Sequence, residues 1–522
     1  METHVMSALV AAACILPILL VLRKLYQLKC NGSRKLPPSP PSWPIIGHLH
    51  LLGALPHRSF AQLSQQCGPL MLLRLGSKPA LVVTSSEMAR ELFKNHDMVF
   101  SHRPHYTVVD LLGTPKQGMA FQSNTPFWRH LRKIFMTEMR STKRLQQARK
   151  FRATELSCML KTLLTDSMAT PDDPVVINRR VHQMTLNFTS QMIMGKRYFK
   201  PDSVVDDAEA KEFKYLSDEM DVLYGSFFLE DYIPLFKWLD LGGLKKRTRA
   251  LTSRFQKMLT AILDEHRERR NGSAGANVDD LDLVDALLSL AEKDDMDYTI
   301  TEGNIRGVTW EAFMGGTGSS TALTEWAMAH LVQAPAAMAS LQSELDLVVG
   351  RNRIVSESDI PNLKYLQAVI KETFRLHPPA PLLVTHENHE PCLLAGYYVP
   401  ANTRLHVDVW AIGRDPCVWK DPEEFNPGRF MEGPLQEVDV SGKFYELMPF
   451  GSGRRVCPAQ PLGLMNVQML VASLVQAFDC SLPEKLRESY SGVLEGAGLV
   501  SHMAKPLQVF LKPRLPLELY EY

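Results

Sequence analysis

Apolar and polar positions divide this chain into three unequal stretches. Val5 to Leu22 is an uncharged, mostly apolar run of 18 residues. Apolar helices near that length span a bilayer, which needs roughly 17–25 residues. A cleaved signal peptide is the alternative, with Ala11-Ala12-Ala13 as its small-residue site, although the apolar run continues past those alanines. Arg23, Lys24, Lys29, Arg34 and Lys35 follow with no acid among them, which turns that end toward the cytosol. Leu36 to Gly47 is then proline-rich. Each proline fixes φ and removes a donor, giving a semi-rigid extended spacer or, alternatively, a ligand for a proline-recognition module. The pattern predicts an anchor and basic stop over residues 1–30, a hinge over 31–50 and one large folded unit over 51–522.

Within that unit, Met71 to Val83 reads as two short strands around Gly76-Ser77-Lys78-Pro79. From Ser85 onward, helical spacing of apolar residues dominates. Arg249 to Arg270 predicts a helix that breaks at Asn271-Gly272-Ser273, and Asp279 to Lys293 a second helix. Thr301 to Leu331 predicts a long helix interrupted at Gly315-Gly316, and residues 392–410 are strand-like with turns at Ala395-Gly396 and Pro400-Ala401-Asn402. The expected class is mainly α with minor β, an α-rich α+β fold.

Composition narrows the function classes. With 58 basic and 57 acidic residues there is no basic stripe of the kind that binds nucleic acid. Eight cysteines are scattered along the chain with no Cys-x-x-Cys pair, which argues against a zinc site, a dithiol site or a disulfide framework. Asn31, Asn187 and Asn271 begin glycosylation sequons that stay unmodified on the cytosolic side of a membrane.

The chemistry concentrates in Pro449-Phe450-Gly451-Ser452-Gly453-Arg454-Arg455-Val456-Cys457-Pro458-Ala459, a glycine-rich loop ahead of an apolar helix. Its glycines allow a tight turn close to a flat ligand. Arg455 offers paired, charge-assisted hydrogen bonds to a carboxylate. A lone cysteine near glycines is ordinarily a core thiol, but the joint spacing of Phe450, Gly453, Arg455 and Cys457 resembles the haem-binding loop of cytochromes P450, with Cys457 as iron ligand. Ala459 departs from the glycine usual there. Lys371-Glu372-Thr373-Phe374-Arg375 puts Glu372 and Arg375 on one helix face, a pair worth under about 1 kcal/mol if exposed. The resemblance implies that Arg429, in Phe425-Asn426-Pro427-Gly428-Arg429-Phe430, closes a buried structural cluster with them. It also implies that Trp128 and Arg132 reach haem propionates, and that His386 stands near one, with a purely structural histidine as the equal alternative.

By the same resemblance, Gly315-Gly316-Thr317-Gly318-Ser319-Ser320 crosses the distal face of the haem. Gly318 takes the place of the usual acid and Ser319 that of the usual threonine. Proton delivery then falls to Ser319, Ser320, Thr317, ordered water or a substrate hydroxyl. Pocket walls are expected from Tyr106 in the loop 104–121, from Phe313, Gly315 and Gly316, from Leu382, Leu383 and Val384, and from Leu499 and Val500. Mostly apolar walls with sparse polar groups suit a small, flat, partly polar molecule. The resemblance implies a monooxygenase of the endoplasmic reticulum membrane, fed by NADPH-cytochrome P450 reductase and acting on a plant aromatic, preferably a phenylpropanoid or flavonoid. The alternatives are rearrangement or dehydration of an oxygenated substrate without external electrons, terpenoid or alkaloid hydroxylation, and a haem-binding sensor or carrier.

Overall fold

A computed structural model describes residues 34–199, 208–272, 282–293, 298–490 and 495–521. The expected anchor over residues 1–30 therefore lies outside the described residues. Among the described residues no helix is long and apolar enough to cross a membrane.

Strands β1 (Leu70–Leu75) and β2 (Lys78–Val83) form the expected hairpin. Then come helices α1 (Pro126–Met139), α2 (Thr142–Ala169), α3 (Ile177–Met194), α4 (Ala208–Tyr224), α5 (Leu244–Gly272), α6 (Glu302–Gln333), α7 (Pro335–Val348) and α8 (Lys364–Leu376). Strands β3 (His386–Glu387) and β4 (Arg404–Val407) precede helix α9 (Gln460–Ala477). The sheet runs β1-β2-β4-β3, with β2 and β4 parallel and the other pairs antiparallel. All four residues of β4 and the last four of β2 are buried, which is why Ala80-Leu81-Val82-Val83 is a continuous apolar run and not an alternating one.

Helix α6 is the centre of the molecule, packed against α3, α8 and α9. Thr301 caps its first turn in a reciprocal box with Asn304. The expected interruption at Gly315-Gly316 does not occur, and the helix runs unbroken through both glycines. Glycine costs a helix about 1 kcal/mol relative to alanine, a penalty that burial of Trp310, Phe313, Leu323 and Trp326 outweighs. Helix α5 starts five residues earlier than predicted, at Leu244.

The proline-rich hinge is docked on the sheet over much of its length. Leu72 N donates to Pro38 O (2.9 Å), Tyr398 N to Lys35 O (2.8 Å) and His48 N to Arg74 O (2.7 Å). Proline-rich backbone lacks donors but keeps its carbonyls, and these carbonyls accept from the sheet. Asn187 is buried in α3 with its amide on Glu155 (2.9 Å), so that sequon is closed.

Candidate active site

The cysteine loop is held by its own backbone. Cys457 N donates to Phe450 O (2.9 Å) and Val456 N to Gly453 O (3.2 Å). Gly453 sits at φ +64°, and a Cβ there would lie 2.2 Å from Asp97 Oδ1, so glycine is required twice over. Asp97 in turn accepts from Arg454 N (3.1 Å). Phe450 packs on Phe374 of α8, with ring centroids 5.1 Å apart. Ala459 has φ −98°, ordinary for an L-residue, so its methyl brings no backbone strain. Burial pushes the Cys457 thiol up, while the Ala459 N–H, Arg132 and Arg140 pull it down.

Three arginines gather beside this loop. Arg455 donates to the carbonyls of Ser101 (2.8 Å), Met119 (3.2 Å) and Gln122 (2.6 Å). Arg103 donates to those of Ala120 (2.8 Å) and Thr385 (2.8 Å), and Arg132 to that of Val456. Trp128 lies under Arg455, 3.9 Å from guanidinium to ring, and donates its indole N–H to Met119 O (2.8 Å). Burial together with Arg103 and Arg132 drives Arg455 down to about 8. Carbonyls satisfy these N–H groups but do not neutralise them, and uncompensated buried charge is costly. The cluster therefore fits an anionic group, which a haem with its propionates supplies. His386 is buried in β3, with Nδ1 2.8 Å from Phe100 O. Burial and the neighbouring Arg103 hold its ring neutral.

The distal helix divides the expected residues differently from the sequence reading. A Cβ on Gly315 would meet nothing within 4 Å, so that side is open. Ser319 is partly exposed, and its hydroxyl donates to Gly315 O (2.8 Å). Gly318 approaches Val500, 3.7 Å from a built Cβ. Four of the expected residues turn to the other side of the helix. Thr317 is buried with its hydroxyl on Phe313 O (2.5 Å), and Ser320 is buried as well. Phe313 is core, packed on Phe213 (4.5 Å) and Trp310 (5.6 Å). Gly316 faces Thr189 of α3, not an open pocket. A 3.6-residue period sends positions 313, 316, 317 and 320 to one side and 315 and 319 to the other.

Of the other expected walls, Leu383 lies 3.7 Å from a Cβ built on Gly451 of the cysteine loop. Val384 O accepts from Arg103 (2.5 Å). Leu382 packs with the sheet cluster around Phe60, and Leu499 stays partly exposed. Tyr106 is covered by Arg404, 4.7 Å from its ring. Glu372, Arg375 and Arg429 do form one buried cluster, Arg375 Nε on Glu372 Oε2 (2.7 Å) and Arg429 Nε on Oε1 (2.9 Å).

Glu311, which the sequence reading did not single out, takes the backbone N–H groups of Met119 and Ala120 (2.9 Å to the latter). Burial pushes its carboxyl up to about 7. Its signal was an acid set among Trp310, Ala312 and Phe313 in an apolar stretch. Arg103, likewise missed, carried no sequence signal beyond its place beside Pro104.

The family model described as Cytochrome P450 matches residues 37–502. The chain is 38% identical over 489 residues to a flavonoid 3'-monooxygenase of Petunia hybrida, covering 93% of each chain. It is 35% identical over 500 residues to a flavonoid 3',5'-hydroxylase of Campanula medium (95% of this chain, 94% of that one). It is 37% identical over 494 residues to a demethylepipodophyllotoxin synthase of Sinopodophyllum hexandrum (93% and 94%). A solved zebra fish cytochrome P450 with progesterone superposes with a TM-score of 0.73 at 26% identity, covering 88% of this chain and 100% of that one.

Proposed function

We propose that this chain, which belongs to the cytochrome P450 family and is a haem-thiolate monooxygenase, hydroxylates an aromatic ring of a flavonoid or related phenylpropanoid. The observation that carries the substrate is 35–38% identity over nearly the whole chain to two flavonoid hydroxylases. Leu383, Val500 and the open face at Gly315 supply mostly apolar walls, which suit a flat phenolic ring.

In this reading Cys457 would hold the iron, and Arg455, Trp128 and Arg132, whose N–H groups here rest on backbone carbonyls, would serve the propionates, with His386 beside them. Phe450 and Gly453 shape the loop around the ligand. A haem held by thiolate supplies the electron push that favours O–O cleavage. The chain's own residues orient the substrate ring, shield it from water and bring protons in. Ser319 holds a water near Gly315: its hydroxyl donates to the helix carbonyl and keeps a lone pair for that water. Ser319→Ala is expected to lower product per NADPH and raise peroxide with little change in substrate affinity. The loss should stay at or below the ~10²-fold lower end of general acid catalysis, because water persists at the site. An unchanged product-to-NADPH ratio would move the protons to another route.

Electrons come from a membrane-bound NADPH-cytochrome P450 reductase. Arg129, Lys133, Arg140 and Arg454 line an open cavity next to Trp128, a cationic face that suits an acidic docking partner. We place the enzyme on the endoplasmic reticulum membrane, single-pass, with residues 51–522 cytosolic. Exposed Trp43, Leu235 and Trp238 support a membrane-facing side. The hairpin turn links their segments, Gly76 N donating to Ile46 O (3.0 Å) and Ser77 N to Tyr232 O (2.7 Å).

The test is expression in microsomes with the reductase and a panel of flavonoids, phenylpropanoids, terpenoids and alkaloids. A ring-hydroxylated flavonoid or phenylpropanoid that needs both NADPH and reductase is the expected product. Absence of such a product while a terpenoid turns over would end the substrate reading. Gly318 favours one second reading, rearrangement or dehydration of an oxygenated substrate without external electrons, which product formation without NADPH would establish.

A further inference from the structure

A polar seam runs between α3 and α6, on the side of the distal helix away from Ser319. Asn178, His182, Thr185 and Thr189 recur along one stripe of α3, and Glu325, Thr321, Thr317 and Gly316 answer them on α6. Packing gives no reason for it, since Val181, Met184, Leu186 and Phe188 fill the rest of α3 with apolar side chains. Buried hydroxyls cost free energy unless bonded. Thr189 is buried, its hydroxyl has no partner, and it sits 3.2 Å from a Cβ built on Gly316.

The seam is linked from the surface inward. Asp218 of α4 is half exposed and lies 3.5 Å from His182 Nε2. His182 Nδ1 is 3.5 Å from Thr321 Oγ1, and Thr321 Oγ1 is 2.8 Å from Thr185 Oγ1. One helical turn, about 5.4 Å, separates Thr185 from Thr189, a span that one water closes using the free Thr189 hydroxyl. At the other end Asn178 donates to Glu325 (2.5 Å), a buried acid that burial pushes up to about 7.

We propose that this seam is a proton relay, entering at Asp218 and passing through His182, Thr321 and Thr185 to Thr189 at Gly316, in place of the acid absent at Gly318. The inference rests on the monooxygenase reading. Each turnover takes RH, O2, two electrons from NADPH and two protons to ROH and water. Solvent protonates His182 by way of Asp218, and the ring releases its other N–H proton to Thr321. Thr321 and Thr185, which otherwise donate to Thr317 O and His182 O of their own helices (3.0 Å each), turn to give one proton forward and take one from behind; His182 is left as its other neutral tautomer and resets by a ring flip before the next proton. The paired glycines leave α6 without side chains beside Thr189, and in this relay water at Gly316 takes the last proton around the bare backbone toward the open side at Gly315. Ser319 and Thr189 thus flank that backbone from opposite faces.

The charged and titratable groups facing His182 and the seam are Asp218, Lys214 and Asp221 of α4, His502 of the C-terminal loop, and Glu325 of α6. The experiment uses the full-length haem protein with reductase. Thr189→Val and His182→Gln should each lower product per NADPH about tenfold, an order below the smallest ~10²-fold effect of a direct acid. Peroxide and the solvent deuterium effect on product formation should rise, with the reduced carbon-monoxide spectrum unchanged. Thr189→Ser, which keeps the hydroxyl, should restore the wild-type ratio. A second readout needs no turnover. In the carbon-monoxide-bound ferrous protein with ring-labelled histidine, the NMR signal absent from His182→Gln should change its chemical shift in Asp218→Asn. Unchanged coupling and isotope effect in both Thr189→Val and His182→Gln would overturn the relay, as would a His182 ring indifferent to Asp218→Asn. If wild type gives no NADPH-dependent product, the proposed function fails instead, and the response of the His182 signal to Asp218→Asn still decides the seam.

Discussion

Cys457→Ser is expected to abolish both the red-shifted Soret band of the reduced, carbon-monoxide-bound protein and all product formation, whereas Cys417→Ser and Cys480→Ser keep both. The thiolate, not the thiol, is the metal ligand, so the ligand must sit where its anionic form is favoured. Burial raises the Cys457 thiol, but a backbone N–H and two arginines act against it. At Cys480 burial is joined by Asp479, and together they push the thiol up to about 12. Cys392 is driven to about 11 by burial and Glu390, and Asp415 raises Cys417 at the surface. Serine replaces Sγ by an oxygen that stays protonated and neutral, so neither the spectrum nor the electron push survives. The spectrum is the deciding measurement. A retained red-shifted band in Cys457→Ser would hand the ligand to another cysteine and remove the basis of the site.

Legibility in the sequence followed the range of the interactions. The hairpin, the long helices and the strand-like region at 392–410 were readable because local spacing and turn residues determine them, although the last strand ends at Val407 and a short helix begins at Val409. The cysteine loop was readable because its turn, with the positive φ of Gly453, is local too, although the contact of Gly453 with Asp97 is not. The distal helix was legible as a helix but misread as a surface. Six residues from Gly315 to Ser320 were treated as one lining, and the helical period splits them between an open face and the seam with α3. Which side faces the ligand depends on how α6 is rotated against α3 and α9, which no window of α6 alone contains. Arg103 and Glu311 were missed for the same reason, since both depend on distant partners, Glu311 on Ala120 (191 apart) and Arg103 on Thr385 (282 apart). The proline-rich segment was read as a free spacer because its docking bonds come from β1 and from residues near 398.

The Glu372–Arg375 pair shows how large an error of scale that blindness can produce. At helical spacing alone it is worth less than about 1 kcal/mol, yet both side chains are fully buried. All five guanidinium N–H groups of Arg375 are used: two on Glu372 (2.7 and 2.8 Å), one each on Gly413 O and Pro422 O (2.6 Å), and one on Glu424 O (2.9 Å). Arg429 and the N–H of Asn426 (2.8 Å) take up the remaining capacity of Glu372 Oε1. The cluster thereby pins the segment 413–429 against α8, whose Phe374 carries Phe450 of the cysteine loop. Breaking a buried pair from one side costs about 3–5 kcal/mol, because the other charge stays buried and uncompensated. Glu372→Gln should therefore lose that much stability. Arg375→Lys should lose nearly as much despite keeping the charge, since an ammonium offers three donors where five acceptors wait. Arg351→Ala removes a partner from an exposed ion pair with Asp346 and should leave the unfolding midpoint close to that of wild type. Denaturant unfolding followed by the thiolate-haem band ranks the three. If Arg375→Lys fell within 1 kcal/mol of wild type, the buried cluster would be no more than the surface pair that the sequence alone suggests.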